Sequence, residues 1–219
     1  MKKIPYSILT LCLGLVLSSS GCKRGTTDHD PVVDPNVTDV GVSIIGVTWA
    51  TRNVDTPGKF AAKPEDPGMF YQWNRKVGWS VNNPMKNSDG GVIWDNTSST
   101  ATAWAPENDP CPDGWRVPNK TEIDKLANAA VVKKADVLGG KKVVSFTDGA
   151  NTIYLPAAGN RHLTDGSFQS YNSEIWGSTE GTNNTFGYGL TYYYTPTTIT
   201  GGNCHKPSGC FVRCVKGAK

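Results

Sequence analysis

Hydrophobic and polar positions alternate over short stretches along most of the chain, and Gly, Asn, Pro and Ser separate these stretches. Alternation with a period of two is typical of half-buried strands, and the separating residues favour turns. One segment differs, because Ile123, Leu126, Ala127 and Ala130 fall on one face of a helix. The pattern therefore predicts many short strands, long loops and one clear helix, and Gly139-Gly140 marks a hairpin turn.

The predicted helix follows a turn whose composition restricts its backbone, the segment 111–118 with the sequence CPDGWRVP. Its two prolines fix φ and remove hydrogen-bond donors, while Gly114 permits a left-handed turn. Asn119 followed three residues later by Glu122 is a capping signal, because each side chain can reach a free N–H at the start of a helix. We expect a rigid turn that directs the helix onto a core.

The first residues predict export. Two lysines precede an apolar run at positions 8–17, which is too short to cross a membrane and is followed by small residues. Residues 1–21 are therefore interpreted as a signal peptide. The small residue directly before Cys22 resembles a bacterial lipobox, so we expect Cys22 to become the lipidated N-terminus of an outer-membrane lipoprotein of the cell envelope. Secretion without a lipid is the alternative.

Two further parts of the chain follow the leader. Residues 22–39 contain almost no apolar side chains and cannot bury enough surface to offset their chain entropy, which predicts a flexible tether. Residues 40–219 have the length of a single domain. Loss of the two leader lysines lowers the formal net charge from +3 to +1, and no basic block remains. Nucleic acid is therefore not an expected partner.

Four cysteines remain after the leader and Cys22 are set aside, and in an oxidising compartment an even number favours disulfides. Of the three possible pairings we favour Cys111 with Cys214 and Cys204 with Cys210. The first pair would tie the turn before the helix to the last strand. A zinc site formed by Cys204, His205, Cys210 and Cys214 is the alternative, although the spacing lacks a Cys-x-x-Cys pair.

Six segments, in chain order, resemble the Fibrobacter succinogenes major paralogous domain, a family abundant in exported proteins of Bacteroidota. The segments are VTWATRN (47–53), GMFYQW (68–73), CPDGWRVP (111–118), LPAAGNR (155–161), IWGSTE (175–180) and FVRCV (211–215). The resemblance implies an α+β protein: a single C-type-lectin-like domain with small twisted antiparallel sheets, one or two helices and long loops. It also implies a Cys111–Cys214 pair and paired terminal strands. Cys204 and Cys210 are additional to the family pattern.

The sequence offers little catalytic chemistry. It has three histidines and no nucleophile elbow, so we expect a protein that is not an enzyme and needs no cofactor. Formylglycine-generating enzymes resemble the chain in placing a Cys-His and a second Cys late in the sequence, here Cys204-His205 and Cys210. A metal or redox enzyme of that type is the alternative, and a structural, fimbria-associated envelope component is a third interpretation.

The segment 171–206 combines Tyr, Phe and Trp with Asn, Ser and Thr, a composition typical of binding surfaces. We therefore expect it to bind an extracellular protein or glycan in adhesion or recognition, and its composition also fits a surface diversified by a retroelement. The predicted ligand-binding residues are Tyr171, Asn172, Asn183, Asn184, Phe186, Tyr192, Tyr194, Asn203, His205 and Lys206. Because side chains alternate along a strand, we expect Tyr193 to face away from Tyr192 and Tyr194.

Overall fold

Short antiparallel strands dominate the computed structural model, which describes residues 38–196 and 198–219. The predicted signal peptide, the lipidation site Cys22 and nearly all of the tether lie outside the described residues. The strands are β1 (Val42–Ile44), β2 (Val47–Trp49), β3 (Phe70–Tyr71), β4 (Gly78–Trp79), β5 (Trp115–Arg116), β6 (Val132–Leu138), β7 (Lys141–Asp148), β8 (Asn151–Pro156), β9 (Asn160–Arg161), β10 (Phe168–Gln169), β11 (Ser173–Glu180), β12 (Phe186–Tyr192), β13 (Thr200–His205) and β14 (Val215–Lys216). The helix α1 is Lys120–Ala127, and a 3₁₀ turn covers Pro106–Asn108.

The expected fold class, an α+β C-type-lectin-like domain, was wrong. The described part of the chain is sheet-rich: its strands form five small antiparallel sheets, and α1 is its one α-helix. The helix ends at Ala127, and Ala130 is exposed rather than part of the apolar helical face. A turn at 128–130 interrupts the helical spacing, and the following residues pair as strands. None of the described helices is long and apolar enough to cross a membrane.

The predicted helix start is confirmed. The Asn119 side chain accepts a hydrogen bond from the Glu122 N–H, and the Glu122 carboxylate accepts one from the Asn119 N–H. Glu122 also pairs with both terminal nitrogens of Arg116, at 2.8 and 2.7 Å. These contacts join β5 to the helix, whose residues Ile123 and Leu126 are fully buried.

A hairpin at the predicted Gly139-Gly140 turn is also confirmed. The two glycines have φ values of 53° and 77°, and they connect β6 to β7, with Leu138 paired to Lys141. Since positive φ is unfavourable for residues with a Cβ atom, two glycines suit this tight turn. The sheet β6–β7–β8 follows from this hairpin.

The sheet β1–β2–β14–β5 brings the last strand against the first part of the domain. Val215 of β14 pairs with Trp49 of β2 on one side and with Arg116 of β5 on the other. Directly before this strand, Cys214 is joined to Cys111 by a disulfide that spans 103 residues. The turn before α1 is therefore attached to the final strand by hydrogen bonds and by a covalent bond.

Three buried cations hold loops to this framework. Arg213 is fully buried and donates to the Ala50 carbonyl at 3.0 Å, the Tyr154 carbonyl at 2.8 Å and the Asn53 side-chain oxygen at 2.8 Å. Burial lowers the pKa of Arg213 to about 10. The guanidinium remains charged at neutral pH and connects three parts of the chain.

The other two cations fasten the long loop between β4 and β5. Arg161 donates to the carbonyls of Ser80 at 2.9 Å and Asn82 at 3.1 Å. Lys206 donates to the carbonyls of Ser99 at 3.2 Å and Ala101 at 2.7 Å, and it forms an ion pair with Glu180 at 2.9 Å. A loop with little regular structure is thereby held by charge-assisted hydrogen bonds to its main chain.

Candidate functional site

The sheet β11–β12–β13 brings the candidate site together. Glu174 lies on β11 and Cys204 near the end of β13, the two strands that flank β12. Cys210 follows β13 and exchanges two main-chain hydrogen bonds with Tyr71 of β3, at 2.7 and 3.0 Å. Next to it, the Phe211 N–H donates to the Glu174 carbonyl at 2.9 Å. This pairing sets Cys210 beside β11 although 36 residues separate it from Glu174.

Cys204, Cys210 and Glu174 form a compact cluster. The two sulfurs are 3.4 Å apart, and the Glu174 Oε2 atom lies 3.1 Å from the Cys204 Sγ and 3.2 Å from the Cys210 Sγ. The expected Cys204–Cys210 disulfide is absent, because both residues are free thiols in the structure. Their separation exceeds the S–S bond length of about 2.05 Å, and each thiol is hydrogen-bonded to the carboxylate instead.

The second oxygen of Glu174 is held by neighbouring side chains. Its Oε1 atom accepts hydrogen bonds from Asn172 Nδ2 at 3.1 Å and from Thr191 Oγ1 at 3.3 Å. Asn172 in turn accepts a hydrogen bond from Asn160 at 2.8 Å. The carboxylate is therefore oriented with one oxygen toward the polar chain and the other toward the sulfurs.

Both thiols are poor acids in this environment. Contact with Cys210 by itself lowers the pKa of Cys204, but burial and the Glu174 carboxylate outweigh it and raise the pKa to about 11. Burial, with smaller contributions from Cys204 and Glu174, raises the pKa of Cys210 well above its usual value. In the protein without a bound cation, both groups are therefore protonated at neutral pH and are weak nucleophiles.

A cavity of about 240 Å³ opens beside this cluster. It is lined by Asn160, His162, Leu163, Gln169, Tyr171, Glu174, Asn203, Cys204, His205 and Ser208. Drug-sized ligands occupy cavities of about 300–1,000 Å³. This cavity therefore has room for one ring or one side chain of a larger ligand, and its lining offers mainly hydrogen-bonding groups.

Six of the ten predicted ligand-binding residues lie near the cavity mouth or on exposed turns. Tyr171, Asn203 and His205 line the cavity. The Phe186 ring lies against the His205 ring, with the centroids 4.6 Å apart and the planes tilted by 46°. Asn183 and Asn184 are exposed in the turn between β11 and β12. Asn203 also bonds the Thr182 hydroxyl at 2.8 Å, which attaches this turn to β13.

Three other predicted contact residues are buried, so they support the site rather than form its surface. Tyr192 is fully buried and donates its hydroxyl to the Pro156 carbonyl at 2.8 Å. Lys206 is buried against Glu180, and Asn172 is buried against Glu174. Composition suggested a surface, but strand alternation turns Tyr192 inward, the ion pair holds Lys206, and hydrogen bonds hold Asn172.

The three consecutive tyrosines at and after the end of β12 differ in exposure. Tyr193 is 38% exposed, whereas Tyr192 is fully buried, which agrees with the predicted alternation at this step. Tyr194 is half-buried and lies outside the strand, with the Lys142 ammonium 5.0 Å from its ring centroid. It does not line the cavity.

Sequence reasoning missed Glu174 as a member of the site. One signal could have identified Glu174. It is a carboxylate followed in the same strand by two apolar residues, Ile175 and Trp176, which are buried. The metal site considered from the sequence included Cys214, which the disulfide removes from the set of free ligands. Among the described residues, Glu174, Cys204 and Cys210 form the one group of three or more His, Cys, Asp or Glu side chains with metal-ligand spacing.

Comparisons of the chain with protein-family models, with curated proteins and with solved structures found no match. The resemblance to the Fibrobacter paralogous domain therefore stays a prediction.

Proposed function

We propose that the protein is a non-enzymatic binding protein that recognises an extracellular protein or glycan through the face around the cavity. The observation that carries this proposal is the grouping of Tyr171, Asn203 and His205 around a small polar cavity. The proposed site is narrower than the predicted segment, because it omits the buried Tyr192 and Lys206.

The chemistry of the face suits a polar ligand with a flat or ring-shaped group. Tyr171 is 65% exposed and can provide a ring face together with a hydroxyl. The side chains of Asn203 and Gln169 present amide donors and acceptors of the kind that pair with sugar hydroxyls or peptide groups. Exposed Asn183 and Asn184 extend the same polar surface along the β11–β12 turn.

The proposal includes attachment to the outer membrane through a lipid on Cys22, as expected from the leader sequence. The predicted tether of residues 22–39 would hold the binding face away from the membrane surface. Protease treatment of intact cells tests whether that face is outside the cell, since a periplasmic domain would be protected.

Binding to glycan and peptide arrays tests the function directly. Truncation of an exposed tyrosine at the centre of a contact commonly costs more than about 1 kcal/mol, so we expect Tyr171→Ala to weaken binding at least about fivefold. Val137→Ala is the matched control, because Val137 is 57% exposed on a different sheet. The absence of any ligand above background with folded protein, or an equal loss in both variants, would contradict the proposal.

A further inference from the structure

The three donor atoms of the Cys204, Cys210 and Glu174 cluster are spaced almost as ligands of one ion. Their separations are 3.4 Å between the sulfurs and 3.1 and 3.2 Å from sulfur to oxygen. With bonds to Zn²⁺ of about 2.3 Å from sulfur and about 2.0–2.2 Å from oxygen, tetrahedral ligand atoms lie about 3.6–3.8 Å apart. The three donor atoms therefore need to move apart by about 0.4 Å to accept the ion.

The carboxylate is already oriented for this role. Its Oε1 atom is occupied by Asn172 and Thr191, while Oε2 faces both sulfurs. Metal-binding carboxylates and imidazoles are commonly held by such outer hydrogen bonds, which orient the ligand before the metal arrives. Asn160 extends the support by donating to Asn172 at 2.8 Å.

The two cysteines are fixed by main-chain pairing rather than by a mobile loop. Cys204 lies opposite Gly187 in the β12–β13 ladder, and Cys210 is bonded through both its N–H and its carbonyl to Tyr71. Little conformational entropy is therefore lost when the ligands close on an ion.

We propose that Cys204, Cys210 and Glu174 bind one Zn²⁺ ion at the edge of the cavity, with a fourth coordination position open to it. Cys204 and Glu174 both line the cavity, so water or an oxygen atom of a ligand can reach that position. Zinc replaces the two thiol protons, which leave to solvent, and the cysteines bind as thiolates. Three protein ligands with one open position distinguish this site from a closed structural zinc site.

Metal binding by the purified protein, with Cys204 and Cys210 as free thiols and the Cys111–Cys214 disulfide intact, tests the proposal without the array ligand. Titration with Zn²⁺ against a competing chelator is expected to give one ion per chain. Substitution by Co²⁺ is expected to produce thiolate-to-cobalt charge-transfer absorption. Replacing both sulfurs in Cys204→Ser/Cys210→Ser is expected to abolish that absorption and to weaken zinc binding at least about 100-fold.

Two further variants separate a metal site from a general disturbance of the fold. Asn172→Ala removes a carboxylate-orienting contact and is expected to lower zinc affinity by about 10–100-fold. Val137→Ala changes a side chain that is 57% exposed on a different sheet, so its zinc affinity is expected to equal that of the wild type. Circular dichroism and thermal unfolding establish that each variant is folded.

Three results would overturn the zinc site. One is unchanged zinc affinity in the Cys204→Ser/Cys210→Ser variant. Another is stoichiometric zinc binding without a thiolate signal. The third is a Cys204–Cys210 disulfide that cannot be reduced while the domain stays folded. None of them depends on Tyr171 or on the array result, so failure of the zinc site and failure of the proposed binding function are distinguishable.

Discussion

Removing the Cys111–Cys214 disulfide is expected to destabilise the domain strongly, because the bond closes a loop of about a hundred residues. In the chain-entropy model, a loop of that length contributes about 4.7 kcal/mol to the free energy of unfolding. A domain of this size has a total stability of about 5–15 kcal/mol. The variant Cys111→Ala/Cys214→Ala is therefore expected to lose between a third and nearly all of its stability.

The corresponding change in melting temperature follows from the unfolding entropy. For domains of about 150–250 residues each kcal/mol shifts the midpoint by about 2–4 °C, so we expect a decrease of about 9–19 °C. The buried tryptophans, among them Trp49, Trp73 and Trp176, provide the fluorescence signal for urea and thermal unfolding.

Reduction provides the internal control for this prediction. Under reducing conditions the wild type is expected to approach the stability of the double variant, because both then lack the cross-link. Cys204→Ala/Cys210→Ala should keep the wild-type sensitivity to reductant, since its long-range disulfide is intact. A decrease of less than about 2 kcal/mol in the free energy of unfolding of Cys111→Ala/Cys214→Ala would contradict this prediction. So would a difference between the variant and the wild type that stays the same under reducing conditions.

Three further predictions concern buried or paired titratable groups. Burial by itself raises the pKa of Glu122, but hydrogen bonds from Arg116 and the Asn119 N–H, with the Arg116 charge, lower it below 4.5. Glu122→Gln should therefore lower the free energy of unfolding, measured in urea at neutral pH, by about 1–3 kcal/mol. The difference from the wild type should shrink as the pH falls below 4.5, because the carboxylate is then protonated. A difference that does not change with pH would contradict the Glu122–Arg116 pairing. Arg213→Met leaves three acceptors without their donor and should cost about 3–5 kcal/mol; a loss under 1 kcal/mol would show that these contacts are weak. In the metal-free protein with the Cys111–Cys214 disulfide intact, alkylation of the Cys204 thiol should accelerate about tenfold per pH unit between pH 7 and 10, measured by mass spectrometry. A fast reaction at pH 7 would be inconsistent with its raised pKa.

Local sequence signals predicted local structure well. The Asn119–Glu122 spacing marked the start of α1, and Gly139-Gly140 marked the β6–β7 turn, because capping and positive φ depend on a few neighbouring residues. The same signals did not show where the helix ends, since Ala130 continues the apolar spacing but is exposed beyond a turn.

The candidate site was less accessible to sequence reasoning, because it depends on distant pairing. The bridge between Ile175 and Phe211 places Glu174 next to Cys210, and no local pattern predicts that bridge. Composition identified the region but not the exposure of each side chain, so the surface residue Tyr171 and the buried Tyr192 looked equivalent. The predicted fold class was wrong because it came from the family resemblance. The pattern of short alternating stretches by itself indicated a sheet-rich domain.

The carbonyl contacts of Arg161 and Lys206 give the domain an unequal tolerance to mutation. Every amino acid presents a main-chain carbonyl, so residues 80–82 and 99–101 can change identity and still receive these hydrogen bonds. The cations themselves have no such freedom, because a shorter or neutral side chain abandons several acceptors at once. The loop between β4 and β5 can therefore acquire new surface chemistry by substitution while two fixed positions elsewhere in the sequence preserve its path.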